Sequence, residues 1–159
     1  MIVRKIDKRD YGHYKRLFED AYGEYLEFLR LNNSQQYQKE KPEKRKVSQA
    51  RFNFYLKTGS SFVAEEKGEV IGYVASQTVS YMHGADKLLW IEYIVVKPEH
   101  RRRGIGTALL QQLTDHAKHN NIDRIYTTIN PDNKVSIKLH QKTGFKIKSW
   151  KVASFKSTP

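Results

Sequence analysis

A run of strand, turn and helix between residues 88 and 129 most constrains the fold. Residues 88–97, LLWIEYIVVK, are almost all apolar, which is typical of a central strand, and Pro98 ends it because proline cannot donate to a strand ladder. An amphipathic helix over 104–119 and strand-like residues 123–129 follow. A strand, a helix and a second strand in this order predict a right-handed parallel crossover within a mixed sheet.

The rest of the chain predicts antiparallel strands and flanking helices. Apolar residues at three- and four-residue steps predict a helix that Asp10 caps and that ends near Arg30. The other expected elements are a strand over 2–6, a loop over 31–41, a helix from Pro42 to Thr58, strands over 61–66 and 69–81 joined by a Lys67-Gly68 hairpin, a helix over 135–142 closed by Gly144, and one or two strands over 145–155. The predicted fold is therefore α/β (α+β mixed), in a single domain spanning residues 1–159.

Composition excludes several classes of protein. No apolar run approaches the roughly 18 residues of a membrane span, and the N-terminal MIVRKIDKRD lacks the apolar core of a secretory signal. We therefore expect a cytoplasmic protein with no membrane partner. Cysteine is absent, which excludes disulfides, thiolate metal sites and a cysteine nucleophile. The net charge of +12 predicts attraction to a polyanion without identifying it.

The turn after Pro98 has the composition of an anion site. Backbone amides at a helix N-terminus lack helical acceptors, and the helix dipole adds about half a positive charge there. A dinucleotide-binding fingerprint does not fit, because Leu109 occupies the third glycine position. A P-loop does not fit either, because the segment has no Gly-Lys-Ser/Thr run.

Two motifs in the second half of the chain do fit a known pattern. The first is Val96-x-Pro98 followed by Arg101-x-x-Gly104-x-Gly106, and the second is Asn130-x-x-Asn133-x-x-Ser136-x-x-Leu139-His140-x-x-x-Gly144-Phe145. Together they resemble the cofactor motifs of the GNAT superfamily of acetyl-CoA-dependent N-acetyltransferases. The resemblance implies a central, mostly antiparallel mixed sheet with splayed parallel strands, flanked by about four helices. The N-terminal half matches only in the order of its elements.

The resemblance also implies a site for coenzyme A. Backbone amides of the turn would hold the pyrophosphate, those of the preceding strand would hold the pantetheine arm, and residues of the second motif would lie beside that arm. The residues expected in these roles are Arg101, Arg102, Arg103, Gly104, Ile105, Gly106 and Thr107; then Ile94, Val95 and Val96; and then Asn133, Ser136 and Lys142. No metal is expected, because His116 and His119 have no third ligand in the sequence and better fit packing and helix-end positions.

Acyl transfer to an amine needs a base, a polarised carbonyl and a proton for the departing thiolate. Glu92, two residues before Ile94 and expected on the same face, is the predicted base. A carboxylate inside an apolar strand costs free energy to bury, so a structural role alone does not readily explain it. The amide of Val96 or Ile94 would meet the developing oxyanion. Where the family usually has a tyrosine as proton donor, this chain has His140. An imidazole could take the role, or it could pass to Tyr93, Tyr126 or water.

The sequence leaves other functions and the acceptor open. A basic nucleic-acid-binding module, with tyrosines stacking on bases, is the less favoured alternative. A non-catalytic acyl-CoA-binding GNAT fold is another, because the usual tyrosine is replaced. Amino acids, small drug-like amines, and peptide N-termini or lysines all qualify as acceptors, and polycationic amines would need acids such as Glu19, Asp20, Glu24 or Glu27 at the entrance. A homodimer is the predicted assembly.

Overall fold

The structure is a computed structural model that describes residues 1–31 and 47–149. Residues 1–128 and 129–159 are two compact units, and each is described by itself. The first unit contains a five-stranded sheet in the order β1-β2-β3-β4-β5. Its strands are β1 (Ile2–Lys5), β2 (Phe62–Glu66), β3 (Glu69–Met82), β4 (Ala85–Val96) and β5 (Arg124–Thr127). The first four strands pair antiparallel, whereas β5 runs parallel to β4.

Three described helices of the first unit cover the two faces of this sheet. Helices α1 (Tyr11–Leu31) and α2 (Gln49–Thr58) pack on the face that carries Tyr73 and Ala75. Helix α3 (Ile105–His119) contacts all five strands. It packs on the opposite face of the sheet. Gly72 precedes Tyr73 on β3 and so faces that side, where a Cβ added to it would lie 3.4 Å from Ile105 Cγ2 of α3.

The predicted mixed sheet, its parallel crossover through α3 and the Lys67-Gly68 hairpin are confirmed. Both hairpin residues have the positive φ angles that a tight turn between strands requires. The predicted start of β4 at residue 88 is three residues too late, because β3 and β4 extend as a long hairpin to Met82 and Ala85. The predicted helix start at Pro42 lies outside the described residues. Within them, α2 begins at Gln49, and Ser48 is its N-cap.

The predicted cap of α1 is wrong. Asp7 accepts from the Arg9 amide at 2.9 Å and caps a short 3-10 turn at residues 8–10 that leads into α1. Asp10 accepts from the amide of Asp7, behind that turn, at 2.8 Å. Asp10 is buried and accepts two hydrogen bonds of 2.8 Å from the guanidinium of Arg4 on β1. The carboxylate therefore fixes the entrance of α1 to the first strand, a long-range role that helix periodicity could not reveal.

The second unit is described over residues 129–149. It contains α4 (Lys134–Lys142), which begins after Asn133, whose side chain accepts from the amide of Ser136 at 3.0 Å. Gly144 follows the helix with a φ of +91°, in agreement with the predicted closure. Residues 145–149 form no strand, so the strand predicted from 145 is absent over those residues, and the remainder of that prediction lies outside the described part of the chain.

Candidate active site

Glu92 lies at an irregularity in the pairing of β3 with β4. Ala75 pairs with Tyr93 and Ser76 pairs with Ile91, so β4 has one residue more than β3 at this point. Such a bulge redirects the side chains on either side of it. Tyr93 packs against the core under α1 and α2, and Glu92 approaches the same face, because its carboxylate meets Gln77. The sequence-based expectation that Glu92 shares a face with Ile94 is therefore wrong.

The Glu92 carboxylate is half-buried and has one described hydrogen-bond donor. Gln77 Nε2 of β3 donates to Glu92 Oε1 at 2.6 Å. Around this pair, burial raises the pKa of Tyr14 and of Tyr55 well above the usual value for a phenol, and the negative charge of Glu92 adds to both shifts. Both phenols are therefore protonated at neutral pH, which leaves Glu92 as the basic group of this cluster.

Beyond Ile91, strand β4 is no longer paired with its parallel neighbour β5. Strand β5 pairs with β4 only from Leu88 to Ile91, and the hydroxyl of Thr127 then donates to the Ile91 carbonyl at 3.1 Å. The following residues of β4, 92–96, have no strand on this side among the described residues. The predicted splay of the parallel strands is confirmed.

The backbone groups on this open edge belong to alternate residues. The Lys97 amide donates to the Ile71 carbonyl of β3 at 2.9 Å. Alternate residues of an antiparallel strand bond to the same side, so the amide of Val95 also faces β3. The amides of Ile94 and Val96 face the open edge instead, and this leaves two donors directly downstream of Glu92.

The open edge leads into a turn with free amides. His100 and Arg101 donate backbone bonds to Lys97 and Pro98, at 3.0 and 3.2 Å, which closes a short 3-10 turn. Arg102 and Gly104 then adopt positive φ angles of +63° and +81°. Within the described residues, none of the amides of residues 102–107 donates to a backbone or side-chain acceptor. These six donors at the start of α3 form an anion-binding geometry with the helix dipole behind it.

Two of the three arginine side chains of this turn are paired with carboxylates. Arg101 donates to Val96 O at 3.0 Å and to Glu24 of α1 at 2.5 Å. Arg103 Nη2 donates to both carboxylate oxygens of Glu66 at the end of β2, at 2.9 and 3.0 Å. These pairs anchor the turn to α1 and β2 and engage two of its cations, whereas the backbone amides of residues 102–107 stay available to an anion. Since the Arg101 amide is bonded to Pro98, the available set begins at Arg102.

His140 of the second unit is buried, and its described contacts are local. Its Nδ1 lies 2.8 Å from the Ser136 carbonyl, so this nitrogen carries the proton in the neutral ring, and its ring meets Phe145 edge-on at 5.1 Å. Burial lowers the pKa of His140, and the bond to Ser136 offsets this only in part. The other nitrogen, Nε2, has no partner among the described residues. At neutral pH it is an acceptor and not a proton donor.

Comparison with known proteins decides the family. The model of the Acetyltransferase (GNAT) family matches residues 17–145, most of the chain. The protein belongs to the GNAT family. Among curated relatives, L-2,4-diaminobutyric acid acetyltransferase of Nocardia farcinica is 35% identical over 80 residues, which cover 50% of this chain and 39% of the relative. An N-alpha-acetyltransferase of Sulfurisphaera tokodaii is 35% identical over 92 residues, which cover 54% and 55%. The chain thus spans about half the length, or less, of these two relatives.

Solved structures show the same GNAT fold. Aminoglycoside N-acetyltransferase AAC(6')-Iy in complex with CoA superposes with a TM-score of 0.73 at 20% identity, covering 99% of this chain and 100% of the other. Arabidopsis thaliana Naa50, in complex with the bisubstrate analogue CoA-Ac-MVNAL, gives a TM-score of 0.66 at 19% identity, covering 93% and 84%. At this identity the likeness establishes the fold alone.

In this GNAT chain, the first motif and the strand before it form one continuous edge, whereas the second motif belongs to the separately described unit. There, Asn133 caps α4 through the Ser136 amide, and Lys142 is exposed in the last turn of the helix.

Sequence reasoning did not identify Gln77 as a site residue. The available signal was a polar side chain two residues after Ala75, on a strand face whose preceding residues Tyr73 and Ala75 are buried.

The described part of this GNAT chain gives no sign of a metal site or a membrane span. Over residues 1–31 and 47–149, no three His, Cys, Asp or Glu side chains are grouped so that they could hold a metal ion. His116 packs against the ring of Phe62 at 5.5 Å, and His119 Nδ1 lies 2.7 Å from the Asp115 carbonyl. No helix in the same residues is long and apolar enough to cross a membrane.

Proposed function

We propose that this chain is an acetyl-CoA-dependent N-acetyltransferase that moves an acetyl group to a primary amine. One observation carries the proposal. The open edge of β4, with the outward amides of Ile94 and Val96, leads from the Glu92 carboxylate to the six free amides of residues 102–107. A base, a row of donors and an anion cradle thus lie in sequence along one edge of the sheet. An extended molecule with a diphosphate at one end and a reacting acyl group at the other matches this order.

The unbonded backbone amides of the first unit support a binding site for coenzyme A. The amides of Arg102 to Thr107 would hold the pyrophosphate, and those of Ile94 and Val96 would hold the arm. Val95 is not part of this set, because its amide faces β3. Acetyl-CoA would supply the activated acetyl group as a thioester. A role of Asn133, Ser136 and Lys142 beside the cofactor arm stays a prediction from the sequence, because the described bonds of Asn133 and Ser136 are local.

Each catalytic requirement has a group in the first unit. Glu92 would accept the proton of the incoming amine, directly or through a water molecule, because it is a half-buried carboxylate beside protonated phenols. The amide of Ile94 or Val96 would donate to the oxygen on which negative charge develops, and a fixed backbone donor of this kind contributes about 3 to 4 kcal/mol in enzymes. Tyr93, adjacent to Glu92 on β4, is the proposed donor to the thiolate. His140 is less suited, because its free nitrogen is an acceptor.

Burial of three tyrosines weakens the nucleic-acid alternative, although Tyr81 is 88% exposed. Tyr14, Tyr55 and Tyr73 are each at most 4% exposed, so they are unavailable for stacking on bases. In the turn, Arg101 forms an ion pair with Glu24, and Arg103 forms one with Glu66. Part of the basic character at this turn is thereby neutralised by the protein itself.

The acceptor class follows from the names of the relatives only as a proposal. These relatives include acetyltransferases named for L-2,4-diaminobutyric acid and for aminoglycosides, and two structural neighbours hold the bisubstrate analogues CoA-S-monomethyl-acetylneamine and CoA-Ac-MVNAL. A panel of L-2,4-diaminobutyrate, neamine and the peptide MVNAL therefore covers amino acid, amino sugar and peptide N-terminus.

Thiol release from acetyl-CoA with this panel tests the proposed function. We expect amine-dependent turnover by the wild type and a loss of about 100-fold or more in Glu92→Gln, the usual size of a general-base contribution. Asp86→Asn likewise converts a carboxylate to its amide, at an exposed position of β4, and should leave turnover unchanged. Absence of acetyl-CoA binding by the wild type would contradict the function. Full turnover in Glu92→Gln would contradict only the assignment of the base.

A further inference from the structure

The contact between Gln77 and Glu92 joins two half-buried polar side chains on neighbouring strands. Gln77 lies on β3 and pairs with Trp90 of β4, not with Glu92. Its Nε2 nevertheless donates to Glu92 Oε1 at 2.6 Å, a short hydrogen bond. An ionised carboxylate only accepts hydrogen bonds, so the amide must turn its nitrogen toward Glu92. The orientation of the Gln77 side chain is thus determined by the carboxylate.

The bulge in β4 makes this contact possible. With regular pairing continued from Ala75 and Tyr93, Glu92 would lie opposite Ser76, whose side chain points to the other face of the sheet. Because the pairing shifts by one residue, Glu92 instead approaches the face of Gln77. The extra residue in β4 therefore turns the Glu92 carboxylate toward this face, and the Gln77 amide on β3 holds it there by a hydrogen bond.

We propose that Gln77 is a positioning residue for the Glu92 base. Its amide holds Oε1 and leaves Oε2 as the oxygen that receives the proton of the acceptor amine. This inference rests on the proposed function, since it needs Glu92 to be the base. A glutamate side chain has several rotatable bonds, and a fixed donor restricts the orientations in which its carboxylate can be found.

A neutral amide suits this role better than a cation. Lysine or arginine at this position would form an ion pair with Glu92, stabilise its ionised form strongly and weaken it as a base. An amide donates one hydrogen bond and carries no net charge, so it orients the carboxylate at a smaller cost in basicity.

A double-mutant cycle distinguishes positioning from a structural role. Gln77→Met keeps the length of the side chain and removes its donor. We expect it to lower kcat about 10- to 100-fold, as for loss of a hydrogen bond to a charged group, with the dissociation constant of CoA unchanged. In a Glu92→Gln background, the same change should cause no further loss. Thr78→Val, on the same strand and on the other face, is the control and should retain wild-type turnover.

Each outcome of the cycle bears on the inference. The assay is thiol release with the panel of diaminobutyrate, neamine and MVNAL, alongside thermal unfolding and CoA titration of every variant. Equal losses from Gln77→Met with and without Glu92 would overturn the positioning role and leave the proposed function intact. Full turnover in Glu92→Gln would remove the base, and the role of Gln77 with it. If Gln77→Met does not fold, Gln77→Asn, which keeps the amide but shortens its reach, takes its place with the same outcomes.

Discussion

The side chain of Arg101 lies across the end of the strand that precedes it. Its Nε donates to the Val96 carbonyl at 3.0 Å, and its Nη2 meets Glu24 Oε2 of α1 at 2.5 Å. The Val96 carbonyl faces the same open edge as the Val96 amide. The guanidinium therefore occupies part of the edge along which we propose that the cofactor binds. Both members of the pair are nearly half exposed, at 44% and 46%, so the pair can exchange partners at little cost.

Removal of Glu24 should favour cofactor binding. In Glu24→Gln, Arg101 loses its carboxylate partner and becomes available to the phosphates. Since an exposed ion pair contributes up to about 1 kcal/mol, we expect the dissociation constant of CoA to fall by up to about fivefold. The effect should shrink between about 50 and 200 mM salt, because exposed charges are screened.

Glu27→Gln is the matched control for this change. Glu27 lies on the same helix, is similarly exposed at 51% and pairs with Arg30, away from the turn. Its substitution should change CoA affinity by less than twofold. Equal effects of the two substitutions would mean that overall charge, and not release of Arg101, determines the affinity.

The conformation of Gly104 should be needed both for stability and for cofactor binding. Its φ of +81° is unfavourable for any residue with a Cβ, although an added Cβ would meet no atom within 4 Å. Gly104→Ala should therefore destabilise the fold by about 1 to 2 kcal/mol through backbone strain alone. Relaxation of that strain would turn the amides at the start of α3, so CoA affinity should fall as well.

Gly23→Ala provides the opposite case in the same chain. Gly23 lies within α1, is exposed and also has free space for a methyl group. Alanine should stabilise the helix by about 0.5 to 1 kcal/mol and leave CoA binding unchanged. Thermal unfolding and CoA titration of both variants check the pair. A stable Gly104→Ala variant with normal affinity would contradict the proposed cradle.

The turn could be predicted from the sequence because its chemistry lies in the backbone. Strand, proline, glycine and helix follow one another within about 20 residues, and local rules determine that amides remain free there. The bulge at Glu92 could not be predicted, since nothing in LLWIEYIVV marks an inserted residue and the irregularity exists only relative to β3. The partner of Arg101 was equally inaccessible, because Glu24 lies 77 positions away in the chain.

Asp10 should contribute stability that is lost in acid. Burial alone would raise the pKa of Asp10, but its bonds from Arg4 and from the Asp7 backbone outweigh this and leave the pKa below its usual value. A lowered pKa in the folded state contributes stability that is complete above the ordinary value near 4 and is lost as the pH falls below it. Asp10→Asn should therefore cost about 1.5 to 3 kcal/mol at neutral pH, and less below about pH 4.

Chemical denaturation between pH 3 and pH 7 checks this expectation. The control is Asp115→Asn, which alters an exposed aspartate 4.0 Å from Lys118 and should change the free energy of unfolding by less than about 0.5 kcal/mol. A constant difference between wild type and Asp10→Asn across this range would show that the lost contribution does not depend on ionisation of Asp10.

Substitutions of His140 and Tyr93 should separate the two predicted proton donors. Because His140 is neutral and presents an acceptor nitrogen, His140→Phe should keep turnover within about threefold. Tyr93→Phe keeps the ring that meets Phe18 at 5.0 Å and removes only the hydroxyl, so it should lower kcat about tenfold or more with CoA affinity unchanged.

The pH dependence of stability provides a second measurement on His140. Burial lowers its pKa in the folded state, so the unfolded chain binds more protons as the pH falls below about 6.5, and the contribution of His140 to stability declines there. His140→Phe should flatten the stability profile between about pH 5 and pH 7. His116, whose pKa is also lowered by burial, should preserve part of the slope. A large loss of turnover in His140→Phe, with Tyr93→Phe fully active, would reverse the assignment of the donor.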